Sequence, residues 1–233
     1  MIVAKSLGKR YQKAREFAIR DVDFHVKKGE CVAFLGPNGA GKTTLIQMLA
    51  GIIRPSEGAY YVTGLKKENP EGRRMIGYLP EANILPGFLR VNWFLHMVGK
   101  LFLMSKEERK ARIRELDRIL DLPGKRKTIA RLSQGNKRKL LIAQSLMSHP
   151  DVLLLDEPTV YLDLLVKHNF YNYLRELKSR GVTIIISSHV LSEIEKLADR
   201  IFVFKDGGIK EELRVDALVQ NRNWEYDVVQ KIV

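Results

Sequence analysis

The chain has 233 residues, of which 45% are hydrophobic and 29% are charged, and its formal net charge at pH 7 is +13. This length suffices for one large domain, and the single cysteine, Cys31, excludes an internal disulfide framework and favours a reducing compartment. No secretory signal pattern opens the chain, and the longest apolar run, residues 91–104, is too short to span a bilayer and favours a buried helix, so we expect any membrane role to come through a partner chain.

The first part of the chain predicts antiparallel strands that lead into a nucleotide-binding unit. Apolar residues between Phe17 and Val26 show partial period-two alternation, and residues 28–30 supply a turn. A continuous apolar strand is expected over 31–35, followed by a glycine-rich loop and then by an apolar helix through residues 45–50. This order of strand, loop and helix is typical of a phosphate-binding site.

Residues 36–44 read GPNGAGKTT, which fits the GxxxxGK[ST] spacing of a phosphate-binding loop. Glycines let successive N–H groups point at one anion, and the N-terminus of the following helix adds its positive end. Lys42 can reach the β- and γ-phosphates, and the Thr43 hydroxyl can ligate Mg²⁺. The predicted phosphate site consists of Gly36, Pro37, Asn38, Gly39, Ala40, Gly41, Lys42, Thr43 and Thr44. The sequence therefore predicts that the chain binds a nucleoside triphosphate.

The middle of the chain changes from strands to helices. After a turn at 55–58, short strands are expected at 60–63 and 75–80, and from Val91 to about Met147 the pattern is helical. Its most regular part spaces Ile113, Leu116 and Leu120 as a buried stripe.

The segment 105–139 is strongly basic, with 13 Lys and Arg against 5 Asp and Glu. It could face acidic headgroups or nucleic acid, or it could be a solvated helix face. We favour the solvated face because no motif that reads RNA or DNA accompanies the charge.

The last third returns to a parallel-sheet pattern. Apolar strands are expected at 152–155 and 182–187, separated by a helix with Phe170, Leu174 and Leu177 on one face, and a hairpin is expected at 201–208. The first of these strands ends in Asp156 and Glu157. Open α/β sheets bind ligands at the carboxyl ends of their strands, so Asp156 suits Mg²⁺ coordination and Glu157 suits polarising a water. The alternative is a strand end capped by solvated acids.

The order of these motifs resembles the ATP-binding cassette of ABC transporters, and the resemblance covers residues 1 to about 210. Residues 132–136, LSQGN, stand where that family carries its LSGGQ signature, and residues 156–159, DEPT, look like its second Walker motif. Leu162 and Asp163 match the end of the following D-loop, and residues 187–189 match its switch histidine. Gln134 and Asn136 depart from the signature, and Val160 with Tyr161 replaces the small pair of the D-loop.

The resemblance implies roles for individual residues. Tyr11 would stack on adenine, Glu81 stands at the lid glutamine and could also ligate Mg²⁺, and His189 would contact the γ-phosphate near the water held by Glu157. Ser133, Gln134 and Gly135, before a helix expected to begin near Asn136, would bind the ATP of the opposite subunit, with Asp163 at the dimer seam. The implied catalytic residues are Lys42, Glu157 and His189, and the implied metal ligands are Thr43 and Asp156.

The implied fold class is α/β: a P-loop NTPase core with an antiparallel β-subdomain and an inserted helical subdomain, the ABC ATPase fold. We expect one ABC ATP-binding domain over 1–233. Within it, 1–90 and 150–210 form the core with the β-subdomain, 91–149 form the helical subdomain, and 211–233 form a C-terminal extension.

The implied function is the ATP-hydrolysing subunit of an ABC transporter, peripheral on the cytoplasmic face of the cell membrane, with ATP and Mg²⁺ as cofactors. The expected partners are a second cassette, in a homodimer, and a separate permease that docks on residues 81–98; no nucleic acid is expected. Residues 78–81, YLPE, look like the exporter branch. One alternative is a soluble cassette ATPase that acts on a protein assembly or nucleic acid. Another is a cassette that senses ATP without hydrolysing it, against which Lys42, Asp156, Glu157 and His189 argue.

Overall fold

The computed structural model describes residues 1–12, 14–62, 75–220 and 224–232. Its strands are β1 (Ile2–Lys9), β2 (Ile19–Val26), β3 (Cys31–Leu35), β4 (Glu57–Val62), β5 (Ile76–Leu79), β6 (Val152–Asp156), β7 (Thr183–Ser187), β8 (Arg200–Lys205) and β9 (Gly208–Arg214). Its helices are α1 (Lys42–Leu49), α2 (Val91–Leu101), α3 (Lys106–Leu120), α4 (Gln134–Leu146), α5 (Leu164–Ser179), α6 (Leu191–Ile194), α7 (Val215–Leu218) and α8 (Trp224–Ile232), with a 3-10 turn at Ile129–Arg131.

The smaller sheet is antiparallel, with strand order β2-β1-β4. Its core-facing side chains include Ile19, Val22, Phe24 and Val26, which are buried while their neighbours in β2 are exposed. The antiparallel strands expected here are confirmed, because this alternation buries one face of the sheet and leaves the other in water. Thr63, the expected end of β4, lies outside the described residues.

The larger sheet has strand order β5-β6-β7-β3-β8-β9, parallel from β5 to β8. Every residue of β3, β6 and β7 is buried. One face packs against α1 and the smaller sheet, and the other packs against the helical segment and α5. Because β3, β6 and β7 are parallel neighbours, their carboxyl ends lie at the same edge of the sheet. The phosphate loop follows β3, Asp156 ends β6 and is followed by Glu157, and His189 lies after β7.

The helical segment has an amphipathic α2 rather than the buried helix expected over 91–104. Val91, Phe94 and Val98 are buried, but Trp93 and Leu101 are exposed. The expected burial is therefore wrong for one face, since α2 packs on α3 and α4 from one side only. The stripe predicted in α3 is confirmed, with Ile113, Leu116 and Leu120 buried.

Three cations of the basic segment are buried, although a solvated face was expected there: Arg112, Arg138 and Lys139. Arg112 donates to the carbonyl of Leu146 and to the hydroxyl of Tyr173, and it pairs with Glu115 at 2.8 Å. Long cationic side chains can be buried when each donor finds an oxygen. The solvated-face interpretation is therefore wrong for these three residues.

The C-terminal hairpin turns at Asp206 and Gly207, both with positive φ, as a two-residue turn of this kind requires. Its second strand continues to Arg214, which pairs with Arg200, so the sheet extends past the boundary expected at 210. Trp224 of α8 is buried in the core and Tyr226 is exposed. No helix in the described parts of the chain combines the length and the apolar character that crossing a membrane requires.

Candidate active site

The phosphate loop joins β3 to α1 at the carboxyl edge of the large sheet. Gly41 is the N-cap of α1 with φ 104°, and a Cβ there would lie 2.5 Å from the carbonyl oxygen of Ala18, so glycine is required. A glycine cap also has no side chain to accept from the first N–H groups of α1. These N–H groups and the positive end of the helix form an anion-binding surface.

Lys42 extends from the first turn of α1 back over its own loop. Its Nζ donates to the carbonyl of Gly36 at 2.7 Å and to that of Pro37 at 3.0 Å. Burial lowers the pKa of the Lys42 ammonium, and the carboxylates of Glu157 and Asp156 oppose that shift. The cation thus lies between the phosphate loop and the carboxylates of Asp156, which ends β6, and Glu157, which follows it.

Asp156 ends β6 with a buried carboxylate. Its Oδ1 accepts a 2.5 Å hydrogen bond from the Ser187 hydroxyl, and its Oδ2 is buried without a hydrogen-bond partner within the described residues. Burial raises the pKa of this carboxyl, and the Ser187 hydroxyl opposes part of that rise.

Glu157 follows with φ 46°, a left-handed conformation that is uncommon outside glycine. Its N–H donates to the Ser187 hydroxyl at 2.9 Å and its Oε2 lies 2.9 Å from Nδ1 of His189. The His189 side chain is mostly exposed. The structure therefore brings together Glu157 and His189, residues that are 32 positions apart in the sequence.

The oxygen atoms here fit Mg²⁺. The unpartnered Oδ2 of Asp156 is a hard acceptor, and the Thr43 hydroxyl lies 3.5 Å from Oε2 of Glu81. Among the described residues, no group of three or more His, Cys, Asp or Glu could enclose a metal. Mg²⁺ suits such a site because it is usually bound by one or two protein ligands together with waters and substrate phosphates.

A cavity of about 390 Å³ runs between these groups, within the usual range for small-molecule sites. Its lining residues come from the end of the segment before β2, the phosphate loop, the residue after Pro80 and the end of β6: Ala18, Asn38, Gly39, Gly41, Lys42, Thr43, Thr44, Glu81, Asp156 and Glu157. The cavity therefore has cationic and N–H groups on one side and carboxylates on the other.

Tyr11 lies beside the phosphate loop, with its hydroxyl 3.3 Å from Oγ1 of Thr44. The Tyr11 ring is partly exposed, and the Lys9 ammonium lies over it at 5.4 Å from the ring centroid. The position is next to the predicted phosphate site, and adenine stacking by Tyr11 stays a prediction.

The signature segment does not line this cavity. Ser133 caps α4 by accepting from the Asn136 N–H at 3.3 Å, so the helix begins at Gln134 and not near Asn136 as expected. The reason is that the extended backbone of Ser133 lets its hydroxyl replace the missing acceptor of the first turn. Gln134 contacts the loop between β5 and α2, since its Oε1 accepts from Asn83 Nδ2 at 3.3 Å. Gly135 packs against the backbone of Tyr161.

Asp163, expected at a dimer seam, is the N-cap of α5. Its Oδ1 accepts from the Val166 N–H at 2.9 Å, and its Oδ2 lies 3.5 Å from Nζ of Lys139. The bond from Val166 lowers the pKa of this carboxyl. The side chain is more than half exposed, so an additional contact with a second chain is sterically open.

Several residues that were not predicted from the sequence support Asp156, Glu157 and the segment after them. Ser187 joins Asp156 to the N–H of Glu157, and Arg138 contacts the backbone of both. Glu193 of α6 accepts from Thr159 and from Tyr171, each at 2.8 Å. These partners are far apart in the sequence, so no local spacing indicates them.

The comparisons with known proteins agree with this geometry. The ABC transporter family profile matches residues 19–160. The chain is 39% identical over 210 residues to the uncharacterized ABC transporter ATP-binding protein YxlF of Bacillus subtilis, covering 90% of this chain and 69% of YxlF. It is 36% identical to Nod factor export ATP-binding protein I of Burkholderia orbicola, covering 87% of this chain and 67% of that protein. A dimeric ATP-binding cassette solved with ADP and phosphate matches with TM-score 0.82 and 26% identity, over 92% of this chain and 99% of its own.

Proposed function

The chain belongs to the ABC transporter family and is its ATP-binding, ATP-hydrolysing unit, and we propose that it drives export through a separate permease chain. The observation that carries the ATPase assignment is the convergence of Lys42, Asp156 and Glu157 on one cavity at the edge of the large sheet, with His189 in contact with Glu157. The export direction is supported by relatives such as Nod factor export ATP-binding protein I.

Each group has a proposed role in hydrolysis. The N–H groups of the phosphate loop and Lys42 bind the phosphates, and Glu157 orients and deprotonates the attacking water. His189, held at 2.9 Å from Glu157, contacts the transferred phosphate and keeps the carboxylate aimed at it. Thr43 and Asp156 would hold Mg²⁺, with Glu81 beside them, and the bound ion would neutralise phosphate charge.

The catalytic assignment is tested by phosphate release from purified variants. Glu157→Gln should bind ATP normally and hydrolyse it about 10²- to 10⁴-fold more slowly, because the amide cannot take a proton from water. Lys42→Ala should lose hydrolysis through weaker phosphate binding. Near-normal turnover in Glu157→Gln would remove Glu157 from the catalytic role, and an inactive wild-type chain that still binds ATP would favour an ATP sensor.

A second copy of the chain is the proposed partner in ATP binding. Ser133 and Gly135 lie outside the cavity that contains Lys42, so their anion-binding helix start is free to face another chain. A head-to-tail pair would bring each signature segment to the other copy's phosphates, in a symmetric interface. The dimeric state of a similar solved cassette supports this arrangement.

The permease is proposed to dock on an exposed apolar surface formed by the loop before α2 and the first turn of α2. Ile84, Phe88 and Trp93 are 82%, 83% and 59% exposed, an apolar group close to Glu81 in sequence. Phe88→Glu should abolish co-purification with the permease and leave ATP hydrolysis of the isolated chain unchanged, because a charge would enter an apolar interface. Ile52→Glu, at an exposed apolar residue after α1, is the matched control. Retained capture by Phe88→Glu would contradict the docking surface.

The membrane association is tested by capturing partners of Glu157→Gln with ATP from gently solubilised native membranes. The transporter proposal expects a multispanning partner on the captured chain, and that permease would then identify the substrate. Recovery only with soluble proteins or nucleic acid would instead support the soluble cassette ATPase.

A further inference from the structure

Arg138 is a buried cation at the centre of the site's supporting structure. It lies in the second turn of α4 with 1% of its surface exposed. Its guanidinium donates to the carbonyls of Asp156 at 2.5 Å, Glu157 at 2.7 Å and Pro158 at 3.1 Å. It also donates to the carbonyls of Pro80 at 2.5 Å and Glu81 at 3.1 Å. One side chain thus joins three segments: α4, residues 80 and 81 after β5, and residues 156–158 at the end of β6.

The contacts with Asp156 and Glu157 fix the peptide groups on both sides of the Glu157 Cα atom. Arg138 binds the carbonyl before Glu157 and the carbonyl of Glu157 itself, while Ser187 binds the N–H between them. Glu157 has φ 46°, which costs conformational energy for a non-glycine residue and persists only when its surroundings enforce it. These bonds therefore determine the direction in which the Glu157 carboxylate leaves the backbone.

The contacts with Pro80 and Glu81 hold the backbone of the segment after β5 in the same way. The Glu81 carboxylate lies 3.5 Å from the Thr43 hydroxyl, and the Glu81 carbonyl accepts from Arg138. In addition, Asn83 Oδ1 lies 3.4 Å from the guanidinium and Asn83 Nδ2 donates to Gln134. A shift of α4 would consequently move the backbone of Glu81, Asp156 and Glu157, the three acidic residues that line the cavity.

We propose that Arg138 is a positioning residue that couples the signature helix α4 to Glu157 and Glu81, so that engagement of the Ser133–Gly135 segment sets the orientation of the hydrolytic carboxylate. This inference rests on the proposed ATPase site. Arginine suits the role because its planar group has five donors in a rigid fork, enough for several carbonyls of separate segments. Lysine has a single ammonium and can reach only part of the set.

Arg112 provides a matched control, because it is a second buried guanidinium with no bond to the site. It is 2% exposed and bonds the carbonyl of Leu146, the hydroxyl of Tyr173 and the carboxylate of Glu115. Arg112→Met therefore removes a similarly buried set of hydrogen bonds and tests the cost of that loss alone.

The experiment measures kcat, KM, ATP affinity and thermal unfolding for Arg138→Met, Arg138→Lys and Arg112→Met in the purified full chain. We expect Arg138→Met to lower kcat about 100-fold, since a displacement of about 1 Å costs that much, with ATP affinity within about three-fold of wild type. The kcat of Arg138→Lys should lie between those of Arg138→Met and wild type. Arg112→Met should keep kcat within about three-fold of wild type, although its melting temperature should fall by a similar amount to that of Arg138→Met.

Two results would overturn the proposal: a kcat within about three-fold of wild type in both Arg138 variants, or an equal loss of kcat in Arg112→Met. If Arg138→Met does not fold, Arg138→Lys against Arg112→Met decides by the same criteria. Normal turnover in the Arg138 variants alongside a defective Glu157→Gln refutes this inference alone. Equal turnover in Glu157→Gln and wild type refutes the proposed catalytic site itself.

Discussion

Gly135 is the position where one added methyl group should most clearly separate ATP binding from hydrolysis. It lies in the first turn of α4, and a Cβ there would stand 2.6 Å from the carbonyl oxygen of Tyr161. Because that atom is backbone, the contact must open to the ordinary 3.4 Å by moving α4 away from the loop that precedes Asp163. In Gly135→Ala we therefore expect kcat to fall on the order of 100-fold, the cost of misplacing reacting groups by about 1 Å.

The folded state should change less than the activity. Replacing a helical glycine by alanine stabilises by about 1 kcal/mol, and overpacking destabilises by about 1–3 kcal/mol, so the net loss should stay below about 2 kcal/mol. The assay compares kcat, ATP affinity and thermal unfolding of Gly135→Ala with those of Gly124→Ala, whose added Cβ meets nothing closer than 3.8 Å. A kcat for Gly135→Ala within three-fold of the Gly124→Ala value would show that the spacing between α4 and Tyr161 does not control hydrolysis.

Two further changes test the Asp156 carboxylate and the serine that supports it. Ser187→Ala removes the donor to Asp156 Oδ1 and one of the two acceptors of the Glu157 N–H, which keeps its bond to the Ser187 carbonyl at 3.2 Å. It should lower the free energy of unfolding by about 1–3 kcal/mol, and an unchanged melting temperature would contradict this. Asp156→Asn should abolish Mg²⁺-dependent hydrolysis yet raise stability at pH 7 in EDTA. Because burial raises the pKa of this carboxyl, the ionised form destabilises the folded state, and the gain should shrink as pH falls towards the ordinary aspartate pKa. Denaturant unfolding at several pH values measures this, and a pH-independent difference would argue against a buried charge as the cause.

The elements that the sequence predicted best are those whose signal is local. The strands β3, β6 and β7 are recognisable as apolar runs because they are buried on both faces. The phosphate loop is recognisable from the spacing of GPNGAGKTT, in which position 41 must be glycine because a Cβ there would clash with the Ala18 carbonyl. The proximity of His189 to Glu157 was implied by the family resemblance, and its physical basis is that neighbouring parallel strands bring their following loops to one edge of the sheet.

The misses concern contacts between distant residues. Arg138 appears in the sequence as one more cation of a basic segment, and only the packing of α4 against β5 turns it towards the carbonyls of 80, 81 and 156–158. The exposed face of α2 was missed for a related reason: composition shows that Trp93 and Leu101 are apolar, but not that no element of the described chain covers them.

Whether ATP joins two copies of the chain is tested by the mass of Glu157→Gln in solution, measured by light scattering with and without Mg²⁺ and ATP. We predict the mass of one chain without nucleotide and twice that mass with ATP, because ATP held by the phosphate loop would be shared with the partner's Ser133–Gly135 segment. The doubling should be lost in Lys42→Ala. An ATP-saturated chain that keeps the mass of one copy would contradict the shared site.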